Sequence, residues 1–428
     1  MKEREAQYGL LGGKLGHSFS PRIHAALAGY QYTLYEKTPE ELAEFMQNGQ
    51  FSGLNVTIPY KQAVMPYLRE VSPHAAEIGC VNTIVRRADG SLYGENTDYA
   101  GLSALLAGID ETVTGKRVLI LGDGGASLMT QTYLRHQKAA AVFVASRRAT
   151  AKRKALPALI RVVSYQEALA LSGIELVINT TPVGMEPHTG ATPIDLSGFA
   201  DCRAVIDLIY NPLQTRLLFE AERLGMKTAN GLAMLVEQAA AAAALFTGKP
   251  ILPERTKQVL LDIKAEMTNI ILIGMPGCGK STVGRLLSTK MKRPFLDADL
   301  CFAEKFGRAP QDVIVQQGEA AFRRMETELL AKLTREKGIV LATGGGVVTV
   351  PENQALLRQN GHIFYIKRDL RDLSTKGRPL SQQTSVEALF RQRRKAYEDW
   401  ADEIVFNWSS RRTCQIIEKR WKHAYSGN

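Results

Sequence analysis

The sequence lacks the long apolar runs that membrane-spanning helices require. Of its 428 residues 45% are hydrophobic and 23% are charged, and no run approaches the roughly 20 apolar residues needed to cross a bilayer. The first residues mix charges and lead directly into a short apolar run, which predicts no secretion signal. We therefore expect a globular, cytoplasmic protein of about two to three domains.

Cysteine is scarce, and its spacing shows no pairing. The five cysteines are scattered without a CxxC pair, and the seven histidines show no HExxH-like spacing. This pattern favours reduced thiols and argues against a disulfide framework or a transition metal held by the protein.

Basic residues are in excess, yet the sequence has no basic block. The formal net charge of +11 is spread along the chain. Dispersed charge favours small anionic ligands over nucleic acid or a membrane surface. We expect small-molecule partners, no nucleic acid and no membrane, and the sequence leaves the oligomeric state open.

Two segments share one pattern, an apolar strand followed by a glycine turn and a helix. They are 116–127 and 269–282. Buried strands that alternate with helices predict an α/β fold with parallel sheets covered on both faces. The predicted strands include Tyr8–Gly12, Tyr32–Glu36, Leu54–Ile58, Val142–Ser146, Val177–Thr180, Ala204–Ile209 and Ile339–Ala342, and the predicted helices include Pro21–Ala28, Pro39–Asn48, Leu232–Phe246 and Glu254–Glu266.

The first glycine turn, Gly122-Asp-Gly-Gly-Ala-Ser127, has the character of a dinucleotide site. Its glycines allow the backbone to approach a pyrophosphate at a helix N-terminus. A second strand, Ala141–Ser146, begins about 20 residues later, as a βαβ unit requires. The residues that follow, Arg147 and Arg148, are basic where an NAD site has an acid. This favours NADP, the alternative being an ordinary solvated helix start.

Polar residues ahead of this unit are candidates for chemistry. Ser18 and Ser20 lie two apart in a turn-rich segment, where they could bind a small polar ligand, although Ser20 could equally cap the following helix. Lys61 ends a strand segment and could polarise a carbonyl, with Asp98 as a possible partner. Each of these two charged residues, taken alone, reads equally well as solvated surface.

Together these segments resemble the shikimate dehydrogenase family over roughly Tyr8 to Phe246. The motifs are GxxxxHSxSPxxH, NVTIPYK, CVNT, GENTDYAG, GDGGAS, NTTPVGM and NGLAMLVEQAA. The resemblance implies NADPH-dependent reduction of 3-dehydroshikimate to shikimate, with Lys61 and Asp98 as the catalytic pair. It implies substrate contacts from Ser18, Ser20, Thr57, Asn82, Asn96, Tyr210 and Gln238, and cofactor contacts from Gly122, Gly124, Gly125, Ala126, Ser127, Ser146, Arg147, Arg148 and Gly231.

Two segments depart from the family pattern. Lys14-Leu15 stands where Pro-Ile is more common, and Asp123 stands in the glycine turn where the family usually has Ala. An acid beside a pyrophosphate is electrostatically unfavourable. We therefore expect reduced cofactor affinity if the Asp123 side chain faces the site.

The second glycine turn, Gly274-Met-Pro-Gly-Cys-Gly-Lys-Ser281, matches the GxxxxGK[ST] phosphate-binding loop. Its backbone N–H groups would form an anion nest, Lys280 would reach the β and γ phosphates, and Ser281 could bind Mg²⁺. Cys278 is predicted to be a small spacer and not a nucleophile.

Two carboxylates and a triple glycine follow. Asp297 and Asp299 are two apart at the end of a predicted strand, so alternation would place both on one side, where they could share a magnesium ion. An acidic turn is the alternative. The triple glycine Gly344–Gly346 permits close backbone approach to a ligand.

These features, in this order from Asn269 to about Asn407, resemble shikimate kinase. The resemblance implies that Asp299 contacts the substrate hydroxyl and accepts its proton, and that Asp297 is a magnesium partner through water. It implies substrate contacts from Arg323, Gly344, Gly345, Gly346, Arg378 and Arg393, and ATP contacts from Gly274, Gly277, Gly279, Lys280, Ser281 and Thr282. The segment 371–378 is a short lid without the second arginine of many relatives, and Lys376 is not its geometric equivalent.

The two resemblances predict a fusion of two enzymes at adjacent steps of one pathway, with NADP, ATP and Mg²⁺ as cofactors. The implied domains are 1–103 for the dehydrogenase substrate, 104–235 for a Rossmann NADP domain, 236–267 for closing helices and linker, and 268–428 for a P-loop kinase. Three alternatives stay open. They are an NAD-dependent quinate or cyclitol dehydrogenase in the first half, a chain in which one half is a non-catalytic module, and a nucleoside monophosphate kinase in the second half.

Overall fold

The computed structural model describes residues 6–16, 18–149, 157–373 and 385–425. The chain divides into two compact units. The first consists of Met1–Tyr210 with Glu220–Leu260, and the second consists of Asn211–Phe219 with Leu261–Asn428. In the part of the chain that is described, no helix is both long and apolar enough to cross a membrane.

The first sheet of the first unit is mixed. Its strands are β1 (Tyr8–Gly12), β2 (Tyr32–Glu36), β3 (Gly53–Val56), β4 (Glu70–Val71), β5 (Thr83–Arg86) and β6 (Leu92–Glu95), in the order β2-β1-β3-β5-β6-β4. Strand β1 pairs in parallel with β2 and β3, whereas β5 is antiparallel to β3 and β6. The helices here are α1 (Ser20–Ala28), α2 (Leu42–Asn48), α3 (Pro73–Ile78) and α4 (Asp98–Gly108).

The second sheet of this unit is parallel throughout. Its strands are β7 (Arg117–Leu121), β8 (Ala141–Ala145), β9 (Ile160–Val163), β10 (Leu176–Asn179), β11 (Ala204–Asp207) and β12 (Lys227–Asn230), in the order β12-β11-β10-β7-β8-β9. This is the doubly wound dinucleotide-binding order, with the reversal between β7 and β10. The next helices are α5 (Gly125–His136), α6 (Tyr165–Leu169), α7 (Arg216–Arg223), α8 (Leu232–Thr247) and α9 (Pro253–Met267).

The second unit contains one parallel sheet. Its strands are β13 (Asn269–Ile273), β14 (Phe295–Asp297), β15 (Val340–Ala342), β16 (Gly361–Lys367) and β17 (Glu403–Phe406), in the order β14-β15-β13-β16-β17. The helices are α10 (Lys280–Met291), α11 (Ala298–Phe306), α12 (Pro310–Gln317), α13 (Glu319–Leu333), α14 (Glu352–Arg358), α15 (Val386–Trp400) and α16 (Ser410–Tyr425). Residues 270–273 of the central strand β13 are fully buried, so both faces of the sheet are covered.

The predicted α/β class is confirmed, with one difference. Strands β1 and β2 begin and end at the predicted residues. The all-parallel expectation holds for the second and third sheets but is wrong for the first. Strands β5 and β6 are each four residues long and joined by a short turn, and such a short connection permits only antiparallel pairing.

Candidate active sites

Lys61 and Asp98 form an ion pair in the first unit. Lys61 lies in the turns after β3, and Asp98 is the first residue of α4. Lys61 Nζ donates to Asp98 Oδ2 at 2.5 Å, with the two side chains 25% and 10% exposed. The backbone of Lys61 is fixed because its carbonyl accepts the Val81 N–H at 2.8 Å. The structure thus brings the predicted pair together and leaves the ammonium partly accessible.

Three of the predicted substrate contacts are the amide side chains of Asn82, Asn96 and Gln238. Asn82 Nδ2 donates to Gln238 Oε1 at 3.0 Å, and Asn82 Oδ1 accepts the Thr97 N–H at 2.7 Å. Asn96 Nδ2 donates to the Cys80 carbonyl at 3.0 Å. Asn96 Oδ1 is buried and has no hydrogen-bond partner among the described residues. A buried acceptor left unpaired is costly, which makes this atom a candidate contact for a polar ligand.

The serine segment is ordered by its own backbone. Helix α1 begins at Ser20 and the N-cap position is Phe19, which makes no side-chain cap, so the alternative of a cap by Ser20 is wrong. Ser18 Oγ accepts the Ser20 N–H at 3.2 Å instead. The Tyr210 ring meets the Phe19 ring edge-on at 6.3 Å, and burial raises the pKa of Tyr210. Thr57 is held at the end of β3 by its N–H bond to the Leu11 carbonyl at 2.9 Å.

The first glycine turn leads from β7 into α5. Gly122 has φ of 100°, and an added Cβ would lie 2.8 Å from Thr181 Cγ2, so this position requires glycine. Around Gly124 and Gly125 a Cβ would meet nothing within 4 Å, so space is open beside the N-terminus of α5.

Three further predicted cofactor residues are placed by backbone and helix contacts. Ser127 is buried and its hydroxyl accepts from Gln131 Nε2 at 3.0 Å, while the Ala126 carbonyl accepts from Thr130 Oγ1. Gly231 donates its N–H to the Ile209 carbonyl, and an added Cβ would collide with the Leu208 carbonyl.

The basic residues after β8 line a cavity of about 470 Å³ together with Asp123. Ser146 is buried and its hydroxyl donates to Asp123 Oδ2 at 2.9 Å while accepting the Arg148 N–H at 2.9 Å. Arg148 Nη2 lies 3.6 Å from the same carboxylate oxygen. The cavity, the open glycine turn and the two arginines suit a dinucleotide with a 2′-phosphate, and the Asp123 side chain does face this site.

The second glycine turn wraps the N-terminus of α10. Gly274, Gly277 and Gly279 have φ of 144°, 83° and 99°, conformations that favour glycine. Lys280 Nζ donates to the Gly274 carbonyl at 2.8 Å and to the Met275 carbonyl at 3.1 Å. The residues after it, Ser281 and Thr282, lie in the first turn of α10. A loop of N–H groups beside an ammonium suits a nucleotide polyphosphate.

The expectation that Asp297 and Asp299 share one face of a strand is wrong. Strand β14 ends at Asp297, and helix α11 begins at Ala298, so the period-2 argument does not reach Asp299. Asp297 is instead the N-cap of α11, and its Oδ1 accepts the Asp299 N–H at 3.1 Å.

Two buried arginines approach the triple glycine. Arg323 is 9% exposed, and a Cβ added at Gly346 would collide with its guanidinium. Arg393 is 3% exposed, and its Nη1 donates to the Gly345 carbonyl at 3.3 Å. Arg393 Nε is buried and has no partner in the described residues. Two cations therefore converge on the triple-glycine turn.

Asp299 approaches the same turn at Gly344. A Cβ added at Gly344 would lie 3.4 Å from Asp299 Oδ1 and 2.5 Å from Glu326 Oε1. The structure thus brings together Asp299, Arg323, Arg393 and the triple glycine as predicted. Arg378 lies outside the described residues, as does the short lid from residue 374 onward.

Glu326 and Tyr397 are two residues to which the sequence reasoning assigned no role. Glu326 is 3% exposed and accepts from Arg323 Nη1 at 2.6 Å; burial raises its pKa, and the charge of Arg323 partly offsets this. Tyr397 is fully buried and its hydroxyl donates to the Gly345 carbonyl. The signal was spacing, because Glu326 is three residues after Arg323 and Tyr397 is four after Arg393, on the same helix faces.

No group of three or more His, Cys, Asp or Glu side chains suited to a metal occurs in the described ranges. Mg²⁺ at phosphate-transfer sites uses one or two carboxylates with substrate phosphates and water, and the Mg²⁺ site with Ser281 and Asp297 stays a prediction.

The fold and these sites define two classes of protein in one chain. The strand order, glycine turn and Lys61–Asp98 pair are those of a dinucleotide-dependent oxidoreductase. The phosphate loop on a parallel sheet, with cations around a glycine turn, is that of a nucleotide-dependent phosphotransferase.

Comparison with known proteins identifies the families. Residues 10–84 match the shikimate dehydrogenase substrate binding domain and residues 276–423 match shikimate kinase. A shikimate dehydrogenase (NADP(+)) of Bacillus licheniformis is 37% identical over 268 residues, 59% of this chain and 96% of that protein. One from Clostridium beijerinckii is 37% identical over 240 residues, 54% of this chain and 88% of that protein.

Solved structures agree with these matches. The chorismate mutase/shikimate 5-dehydrogenase fusion protein of Clostridium acetobutylicum is 35% identical with a TM-score of 0.57, covering 60% of this chain and 97% of that one. Shikimate 5-dehydrogenase of Thermus thermophilus, in complex with NADP(H) and shikimate, is 33% identical with a TM-score of 0.52, covering 60% and 98%. The chain belongs to the shikimate dehydrogenase family and is an enzyme, and its residues 276–423 match the shikimate kinase family.

Proposed function

We propose that this chain is bifunctional in chorismate biosynthesis. Its first part reduces 3-dehydroshikimate to shikimate with NADPH, and its second phosphorylates shikimate with ATP to shikimate 3-phosphate. The observation that carries the proposal is that each part has its own charged centre, the Lys61–Asp98 pair in one and the Asp299, Arg323 and Arg393 cluster in the other. The domain limits proposed are those predicted above, with the kinase at 268–428.

In the first part, Lys61 is the group that acts on the ring ketone. Negative charge develops on the ketone oxygen during reduction, and a positioned ammonium stabilises it. Asp98, at 2.5 Å from Lys61 Nζ, orients the ammonium through a charge-assisted hydrogen bond. The amides of Asn82 and Asn96, with Gln238, would hold the ring hydroxyls, since Asn96 Oδ1 is a buried acceptor.

In the second part, positioning and charge neutralisation carry the chemistry. Arg323 and Arg393 would pair with the substrate carboxylate, and Asp299 would accept the proton of the reacting hydroxyl. Lys280 would move from its carbonyl partners to the phosphates. When bound, NADPH supplies a hydride to the first reaction and ATP a phosphoryl group to the second, with Mg²⁺ held through Ser281 and Asp297.

Separate assays of the purified chain test each half against its alternatives. NADPH oxidation is followed with 3-dehydroshikimate, and the reverse reaction is compared for shikimate with NADP⁺ and for quinate with NAD⁺. ADP release is compared for shikimate, AMP and UMP. The proposal expects 3-dehydroshikimate and shikimate to be the preferred substrates of the two halves. A preference for quinate with NAD⁺, or for a nucleoside monophosphate, would overturn the corresponding half.

A further inference from the structure

The Asp123 carboxylate lies in the part of a dinucleotide site that discriminates between NAD(H) and NADP(H). NAD sites have an acid after the second strand of the fold, which binds the ribose 2′-hydroxyl, and NADP sites have basic residues there. In this chain Ser146, Arg147 and Arg148 follow β8. Asp123 comes from the glycine turn after β7, yet its Oδ2 accepts from Ser146 Oγ at 2.9 Å. The turn therefore supplies the acid that β8 lacks.

This carboxylate engages groups that a 2′-phosphate would need. The Ser146 hydroxyl donates to it, and Arg148 Nη2 lies 3.6 Å from it. The Asp123 side chain is 21% exposed, so its charge is only partly screened, and it lines the same cavity of about 470 Å³ as Arg147 and Arg148. A second anion in this cavity would be repelled by Asp123 and would compete with it for both donors.

We propose that Asp123 sets the cofactor preference of the dehydrogenase. It weakens binding of the 2′-phosphate of NADP(H) and offers an acceptor to the 2′-hydroxyl of NAD(H). Discrimination between the two cofactors is therefore narrower than the two arginines alone would give. The inference rests on the proposed use of NADP(H) and deepens it.

Two variants separate the charge from the shape. Asp123→Asn keeps the size and an acceptor for Ser146 but removes the charge, and Asp123→Ala removes both. Asp195→Asn is the matched control, because Asp195 is an exposed carboxylate of the same unit, and its Oδ1 accepts the Ser197 N–H at 2.9 Å. Thermal unfolding of each variant identifies any that does not fold.

The readout is equilibrium binding to the full-length protein, measured by calorimetry with NADP⁺, NAD⁺, 2′,5′-ADP and 5′-AMP. Removal of the Asp123 negative charge from the cavity is expected to increase the affinity for NADP⁺ and for 2′,5′-ADP by about tenfold in both Asp123 variants. NAD⁺ is expected to bind no tighter, 5′-AMP to stay within about twofold, and Asp195→Asn to match the parent protein.

Two results would overturn the inference. If NADP⁺ and 2′,5′-ADP bind the Asp123 variants no tighter than the parent, Asp123 has only a structural role. If 5′-AMP tightens as much as 2′,5′-ADP, the effect is not on the 2′-phosphate. A parent protein and variants that all fail to bind NADP⁺ while binding NAD⁺ would instead contradict the proposed function itself.

Discussion

The Tyr397 hydroxyl is predicted to position the triple glycine Gly344–Gly346, which is proposed to contact the kinase substrate. It donates to the Gly345 carbonyl from a ring that is fully buried and stacked on Tyr365 at 5.0 Å. Tyr397→Phe removes this hydrogen bond and keeps the ring. The same carbonyl also accepts from Arg393 Nη1 at 3.3 Å, so the change leaves it with one donor.

The size of the expected effect depends on Arg393 Nη1, the donor that the Gly345 carbonyl keeps. A hydrogen bond between neutral groups contributes about 0.5–1.5 kcal/mol net, and the full cost of an orphaned carbonyl does not apply here. A loss near 1 kcal/mol corresponds to about a fivefold change in an equilibrium constant. Because Gly345 lies between glycines that face Arg323 and Asp299, we expect the loss as a KM for shikimate raised about fivefold, with kcat within about twofold.

The assay is steady-state phosphorylation of shikimate with ATP held saturating. Tyr365→Phe is the control, since it removes a hydroxyl from the stacked partner ring, and within the described residues this hydroxyl makes no hydrogen bond to Gly345. Dehydrogenase kinetics on the same samples verify that the rest of the chain is intact. An unchanged KM in Tyr397→Phe, or an equal rise in Tyr365→Phe, would refute the positioning role.

Three further predictions concern the two charged centres and one buried histidine. Lys61→Ala should lower dehydrogenase kcat by at least about 100-fold and spare phosphorylation, because it removes charge stabilisation in one part only; loss of both activities would argue against independent centres. Asp299→Asn should lower the kcat for shikimate phosphorylation by a similar factor and spare the dehydrogenase reaction. A normal rate of phosphorylation would remove Asp299 from the mechanism. Burial lowers the pKa of His24 from 6.5 to about 3, so the unfolded chain takes up a proton first as pH falls and stability is lost below about pH 6.5. Between pH 7 and pH 5 this loss is about 2 kcal/mol in the free energy of unfolding. His24→Phe keeps an aromatic ring against Tyr32, so its free energy of unfolding in urea should fall less as the pH is lowered. An equal fall in the variant and the parent protein would contradict this prediction.

Much of the fold was predictable because local pattern and global fold agree. The apolar runs before both glycine turns became the central strands β7 and β13, since a run buried on both faces is the signature of a parallel sheet. The resemblance to the two families also implied that Lys61 pairs with Asp98 and that the arginines and the triple glycine share one site, and the structure brings these residues together. Their roles in binding and catalysis stay predictions.

The features that could not be predicted from the sequence depend on where a strand or helix ends, or on a contact between residues far apart in the chain. The extended pattern of residues 295–299 gave no sign that α11 starts at Ala298, so the register of Asp299 was mispredicted. The βαβ pattern predicted that β7 and β8 are neighbours, but the direction of the Asp123 side chain became evident only with its 2.9 Å contact to Ser146. The spacing placed Glu326 on the same helix face as Arg323, and the 2.6 Å contact between the two side chains then showed that they pair.

The most direct test of the account is a two-step reaction on one sample of the purified chain. NADPH absorbance is followed after addition of 3-dehydroshikimate, ATP and Mg²⁺ are then added, and the product is analysed for shikimate 3-phosphate. We expect NADPH to be consumed and the phosphate to appear on the ring only after ATP is added. Consumption of NADPH without shikimate 3-phosphate, or no consumption at all, would contradict the claim that both halves of this chain are catalytic.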